Sequence, residues 1–180
     1  MTQTLLAFLA MMIVTLLSIN QQQRILRTYE AMLDDEMEVM ASGIALQAME
    51  VIEGKAFDSA TLGGASVSNP SALTALPFAT GNGCSLRGLN TLCDDVDDFH
   101  EMTPDTLSFT MRDGATYAFE VTATVQYVTV TGSSVTVSAG PTYEKQITVS
   151  LQDVPATPGG RRLLINPVRL SRLKACDTCS

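Results

Sequence analysis

The first 23 residues carry no charged side chain, no proline occurs before Pro70, and the first glycine is Gly43. Together these absences leave the opening fifty-odd residues without an obligatory helix breaker, and the first 23 without the charges of a solvated surface helix. Histidine is nearly missing too: His100 stands alone, so one chain can build neither a paired-imidazole metal site nor a histidine-rich catalytic centre. Basic charge is scarce, with 11 Lys and Arg against 19 Asp and Glu and a formal charge of -8, which argues against a nucleic-acid partner. No phosphate-cradling glycine loop, nucleophile elbow, HExxH run or CxxCH haem motif is present, so neither an enzyme nor a cofactor is expected. Asn69 is followed by proline, and no Asn-x-Ser/Thr acceptor is found elsewhere.

What is present begins with LLAFLAMMIVTLL at 5–17, read as the core of a hydrophobic half-helix, 1–23, that enters a membrane or a filament core. It has no basic n-region and no small-x-small site after the apolar run, so it reads as retained and not as a cleaved secretory signal. Arg24 and Arg27 follow the run with nothing basic before it. The positive-inside rule would then place the main domain in the cytoplasm, unless numbering starts at a processed N-terminus from which a short basic leader was removed, a point the residues leave open. From 24 to 54, Ile25, Tyr29, Met32, Leu33, Met37, Met40, Ile44, Ala48 and Val51 form one helical stripe, with Gly54 as the stop. The two halves would make a rod of about 80 Å, with Thr15, Ser18, Asn20 and Gln21 to Gln23 the stretch where a turn could loosen.

Residues 55–105, rich in Gly, Ser, Thr, Ala and Pro, read as a long, partly ordered variable loop. From 106 to 180 the period changes to two. Leu107, Phe109 and Met111 alternate, Asp113-Gly114 makes a hairpin turn, and Tyr117, Phe119, Val121, Ala123, Val125 and Tyr127 share one face. Gly132 to Ser134 turn again, Val135 and Val137 mark a short strand, and Ile147, Val149 and Leu151 face inward from the next. LLINPVRLSRLKA adds an edge strand limited by Pro167. The class is therefore α+β: a long N-terminal helix covering the dry face of an antiparallel β-meander from about Ile25 onward.

Two constellations could carry chemistry. CDDVDDFHE places Asp94, Asp95, Asp97 and Asp98 close together as a weak Ca²⁺ candidate, although the spacing is not that of an EF-hand loop. Cys84, Cys93, Cys176 and Cys179 allow three pairings; the one chosen joins nearest neighbours, stapling a loop tip and the C-terminus in an oxidising compartment. A thioredoxin-like role for the closing CxxC does not fit, because that motif should open a helix after a strand. The basic residues Arg161, Arg162, Arg169, Arg172 and Lys174 contrast with acidic Glu30, Asp34, Asp35, Glu36 and Glu38, a complementarity that neighbouring copies could use.

An uncharged apolar helix continuing as an amphipathic stem, a variable loop, a β-meander with ITVSL as a late strand, and a cysteine-stapled C-terminus resemble the type IV pilin superfamily. The resemblance implies a prepilin peptidase cut, an inner-membrane pool, pilus assembly machinery as a partner, and extraction into an extracellular helical filament of copies of the chain. Its core would be bundled N-terminal halves carrying Leu5, Leu6, Phe8, Leu9, Met12, Ile13 and Leu16. Uncharged Gln3, Thr4 and Leu5 stand where the family has a glutamate, which makes this an atypical branch; Gln3 and Thr4 can still accept a hydrogen bond from an ammonium. The expected function is structural. The alternatives are a pseudopilin of a secretion system, or a lone membrane-anchored envelope protein binding a partner through its β-domain.

Overall fold

A computed structural model of the chain describes residues 2–81, 83–87, 93–110, 114–155, 160, 162–164 and 166–179, leaving aside the side chains of 2–8, 10 and 30. The chain divides into two compact units, Met1–Val39 and Met40–Ser180. Helix α1, Thr2–Glu53, contributes to both.

Within the first unit the helix continues through the polar stretch at 15–23. Thr15 Oγ1 donates to the Met11 carbonyl and Thr28 Oγ1 to that of Arg24, so these hydroxyls bond back to the preceding turn and the helical ladder survives. Leu9, Met12, Ile13 and Leu16 are at least half exposed. The side chains of Leu5, Leu6 and Phe8 lie outside the described residues. Among the described residues no helix is long and apolar enough to cross a membrane. The stem needs correction, because Ile25, Tyr29, Met32 and Leu33, expected beneath the sheet, are exposed.

The second unit supplies the reason. Its share of α1, Met40–Glu53, is about 20 Å long, comparable to the width of four strands spaced ~4.8 Å apart, so a short helical segment suffices as a cover. Ala41, Ala45, Ala48, Met49 and Ile52 are buried, whereas Met40, Ile44 and Val51 are only half-buried. The covering stripe is therefore turned by about one residue from the one the large side chains mark. Alanine explains the turn: its small side chain lets the helix backbone approach the pleated face.

The sheet is antiparallel throughout. Its strands are β1 (Asp105–Thr110), β2 (Thr116–Thr131), β3 (Ser134–Val137), β4 (Glu144–Asp153) and β5 (Val168–Ala175). The spatial order is β1-β2-β4-β5, with β3 folded back on β2 around the Gly132 turn. Phe119, Val121, Ala123, Val125 and Tyr127 of β2 bury on the face that also holds Ile147, Val149 and Leu151 of β4, as their alternation requires. Met111 and Asp113 of the expected hairpin turn lie outside the described residues. β5 begins directly after Pro167 and pairs with β4 alone.

The helix ends at Glu53, and Gly54 N–H donates to Glu50 O. No basic residue stands in its last turn; β5 supplies one instead. Lys174 Nζ donates to Glu53 O and to Lys55 O, placing a cation on the helix's negative end, while Arg172 pairs with the Glu53 carboxylate at 2.8 Å. Burial, more than any other influence, lowers the Lys174 pKa, with Glu53 opposing it. Two of the basic residues proposed for contacts between copies are thus engaged within the chain, and Arg161 is outside the described residues.

The segment 55–105, read as a long, partly ordered connection, contributes buried side chains to the second unit. Phe57, Val67, Leu73, Phe78, Val96, Phe99 and Met102 are buried, and 3₁₀ turns at Ser59–Gly64, Pro70–Ala72 and Asp97–Phe99 tie the segment down. Ala56 pairs with Asp95 and Val67 with Cys179 as isolated bridges. Cys84 is bonded to Cys93 and Cys176 to Cys179. Two disulfides are the state of an extracellular or periplasmic protein.

Candidate functional site

Where β4 runs out of apolar residues, its inward face presents Lys145, one step of two before Ile147. The side chain is fully buried and brings a charge into the core. Three loop segments meet it. Lys145 Nζ donates to Phe57 O at 2.7 Å and to Asp58 Oδ2 at 3.1 Å, and it lies 2.7 Å from each oxygen of Asp97. The rings of Phe57, Tyr127 and Phe78 surround it, with centroids 4.3, 4.8 and 5.4 Å away, so cation–π attraction replaces part of the lost hydration.

The two carboxylates are held differently. Asp58 Oδ1 accepts from Ala60 N and Thr74 Oγ1, and Oδ2 from Thr74 N, the Tyr127 hydroxyl and Lys145. Burial works against its ionisation, but these backbone bonds and the lysine outweigh it and hold the carboxyl well below the usual range. Asp97 has only the lysine. Its hydrogen bond is to Oδ2, and Oδ1, fully buried, has no hydrogen-bond partner among the described residues. Burial, first, pushes its carboxyl up to about 7 against the pull of Lys145. Burial, assisted by Asp58 and Asp97, likewise raises the Tyr127 hydroxyl, keeping it a neutral donor.

This arrangement divides the four acidic residues read as a cation candidate. Asp97 turns away to the lysine, while Asp95 Oδ1 accepts from the Asp97 and Asp98 amides and Asp98 Oδ2 from the Asp94 and Asp95 amides. Asp94, Asp95 and Asp98 do bring oxygens within 4.8 Å of one another, but two of the three carboxylates close the turns of their own loop. His100 is structural as well: its Nδ1 accepts the Val125 amide at 3.1 Å.

Two expected results arise here. The Asp95 carboxyl is pushed up to about 6 by burial first and the Asp98 charge second. In the unfolded chain it titrates near 3.9, so between about pH 4 and 6 the folded state binds more protons than the unfolded one. Stability must then fall as pH rises through that window. Denaturation midpoints across it should show the decline, to which Asp97 contributes with the same sign, and Asp95→Asn should make it shallower; an unchanged slope in that variant would refute the assignment. The second result concerns Gly81, whose amide donates to His100 O at 2.7 Å and where an added Cβ would stand 2.1 Å from the Asp98 carbonyl oxygen. Gly81→Ala should destabilise by about 1–3 kcal/mol, because two backbones must separate. A melting temperature equal to wild type would show that the loop yields freely.

The sequence reading missed Lys145. Its signal was parity, since 145, 147, 149, 151 and 153 share one face of β4. Asp153, at the other end of that face, is also buried and accepts the amides of Leu163 and Leu164. Comparison with family models, curated proteins and solved structures finds no match to this chain.

Proposed function

We propose that this chain is a structural subunit of an extracellular, type IV pilus-like helical filament, polymerising through the first half of α1. The observation that carries the reading is the exposure of Leu9, Met11, Met12, Ile13, Val14, Leu16, Leu17 and Ile19 on consecutive turns of one helix. A soluble monomer rarely leaves so continuous an apolar surface to water, and burying each such side chain is worth about 1.5–3 kcal/mol. Neighbouring copies bundled along this segment would supply the cover. An inner-membrane pool before assembly and an assembly machinery that extracts the subunit belong to the same proposal. The disulfide-stapled second unit supports the extracellular end of that route.

Negative-stain microscopy of the cell surface, with an antibody against this chain, should decorate filaments. Removing residues 1–23 should abolish them and release a soluble monomer. Filaments persisting after that truncation would show that another surface drives assembly.

A further inference from the structure

We propose that Lys145 and Asp97 join through an amide bond between Nζ and Cγ, formed without an enzyme inside the folded second unit, with Asp58 carrying the proton. The argument is geometric. Nζ is 2.7 Å from both oxygens of Asp97. An amine in contact with both oxygens stands at the carboxyl group it would attack, and rotation of that group about its Cβ–Cγ bond brings its face toward the nitrogen. Both side chains are held from opposite sides by the fold: Lys145 by the β4 ladder with β2 and β5, Asp97 by the turn that Asp95 closes. The site is dry and aromatic on three sides, and there a neutral amine and acid cost less than two separated charges.

The choice of Asp97 over Asp58 as the acyl group follows from their partners. Asp58 has both oxygens occupied by donors and stays an anion. Asp97 lacks a partner on Oδ1, which leaves that oxygen free to become the leaving hydroxyl. The step balances without an oxidant or co-reactant. One proton passes from the ammonium to the Asp97 carboxylate, giving amine and acid. The nitrogen lone pair then attacks Cγ, Asp58 takes a second proton from Nζ and delivers it to the hydroxyl oxygen, and the C–O bond breaks. The products are a secondary amide and one water, and Asp58 ends as it began. A cleft of about 270 Å³ lined by Ser59, Thr74, Asp95 and Asp97 gives the water an exit.

Intact-mass spectrometry of the full chain, purified in detergent, tests this directly. The folded protein should be lighter than its sequence by one water, beyond the four hydrogens lost to the two disulfides. Reduction should restore only those hydrogens, and digestion should yield a branched peptide joining Lys145 to Asp97. Asp97→Ala should keep its full mass, while Asp97→Asn should expel ammonia and reach the same final mass as the linked wild type. Asp58→Ala should slow or stop the reaction in molecules whose Cys84–Cys93 bond shows that they have folded. A folded wild-type chain at full mass would overturn the proposal, as would a branch at Asp58. A link formed at an undiminished rate in Asp58→Ala would overturn the proton-carrying role.

Discussion

Relative to the wild-type chain before Lys145 and Asp97 link, Lys145→Met is expected to destabilise the second unit by about 3–5 kcal/mol, the cost of removing one partner from a buried charge cluster. Against a total stability of about 5–15 kcal/mol, that is a third or more of what holds a domain together. The loss would come less from the missing contacts than from what remains: Asp58 and Asp97 would sit buried beside a thioether, with Phe57 O and Asp97 stripped of their only cation. Urea denaturation followed by the fluorescence of tyrosine, in a chain without tryptophan, reports it directly. Because the penalty is that of an orphaned acid, pairing Lys145→Met with Asp97→Leu should recover part of it. A double variant no better than the single one would mean that packing around the lysine stem, and not the charge, is what the core requires.

The second large effect is expected at the opposite end of the chain. Leu9→Arg should abolish filaments while leaving the β-domain folded, since a charge placed in an apolar bundle costs several kcal/mol and every subunit repeats it. Leu9 is 55% exposed in the single chain, so the substitution should cost the monomer little. The measurement is a pair: no filaments by microscopy, and an unchanged far-ultraviolet circular dichroism spectrum and melting temperature. Abundant filaments in this variant would remove the first half of α1 from the assembly surface.

Periodicity made much of this fold legible. Alternation in 117–127 and 147–151 placed β2 and β4 and their inward faces, Gly132 and Pro167 placed a turn and a strand start, and the cysteine spacing matched the two bridges. What stayed hidden obeys no period. Asp58 and Asp97 approach Lys145 from turns separated from it by 87 and 48 residues, and a turn's side chains point where its local hydrogen bonds send them. The helical stripe was legible only in part: Met37 and Ala48 are buried as expected, but the buried face also takes Ala41 and Ala45, small residues that a search for large side chains passes over, and Met49 and Ile52. The glycine- and serine-rich composition of 55–105 concealed a core, because its buried aromatics, Phe57, Phe78 and Phe99, lie too far apart in the chain to register as an element.

The inner edge of β2 bears on how the chain resists wrong association. β1 pairs with it over Thr116–Val121, Glu101 N–H reaches Ala123 O, His100 Nδ1 takes the Val125 amide, Ser138 N–H reaches Tyr127 O, and β3 covers Val128–Thr131. A sixteen-residue strand, long enough to template amyloid-like stacking, therefore offers a foreign strand no stretch of free amides on that side. The strands that remain outermost are six, four and eight residues long, and β5 sets Arg169 and Arg172 along its length. Chains brought to high local concentration are thereby left with little opportunity to join strand to strand, because the backbone hydrogen bonds that such association would use are already made within each one.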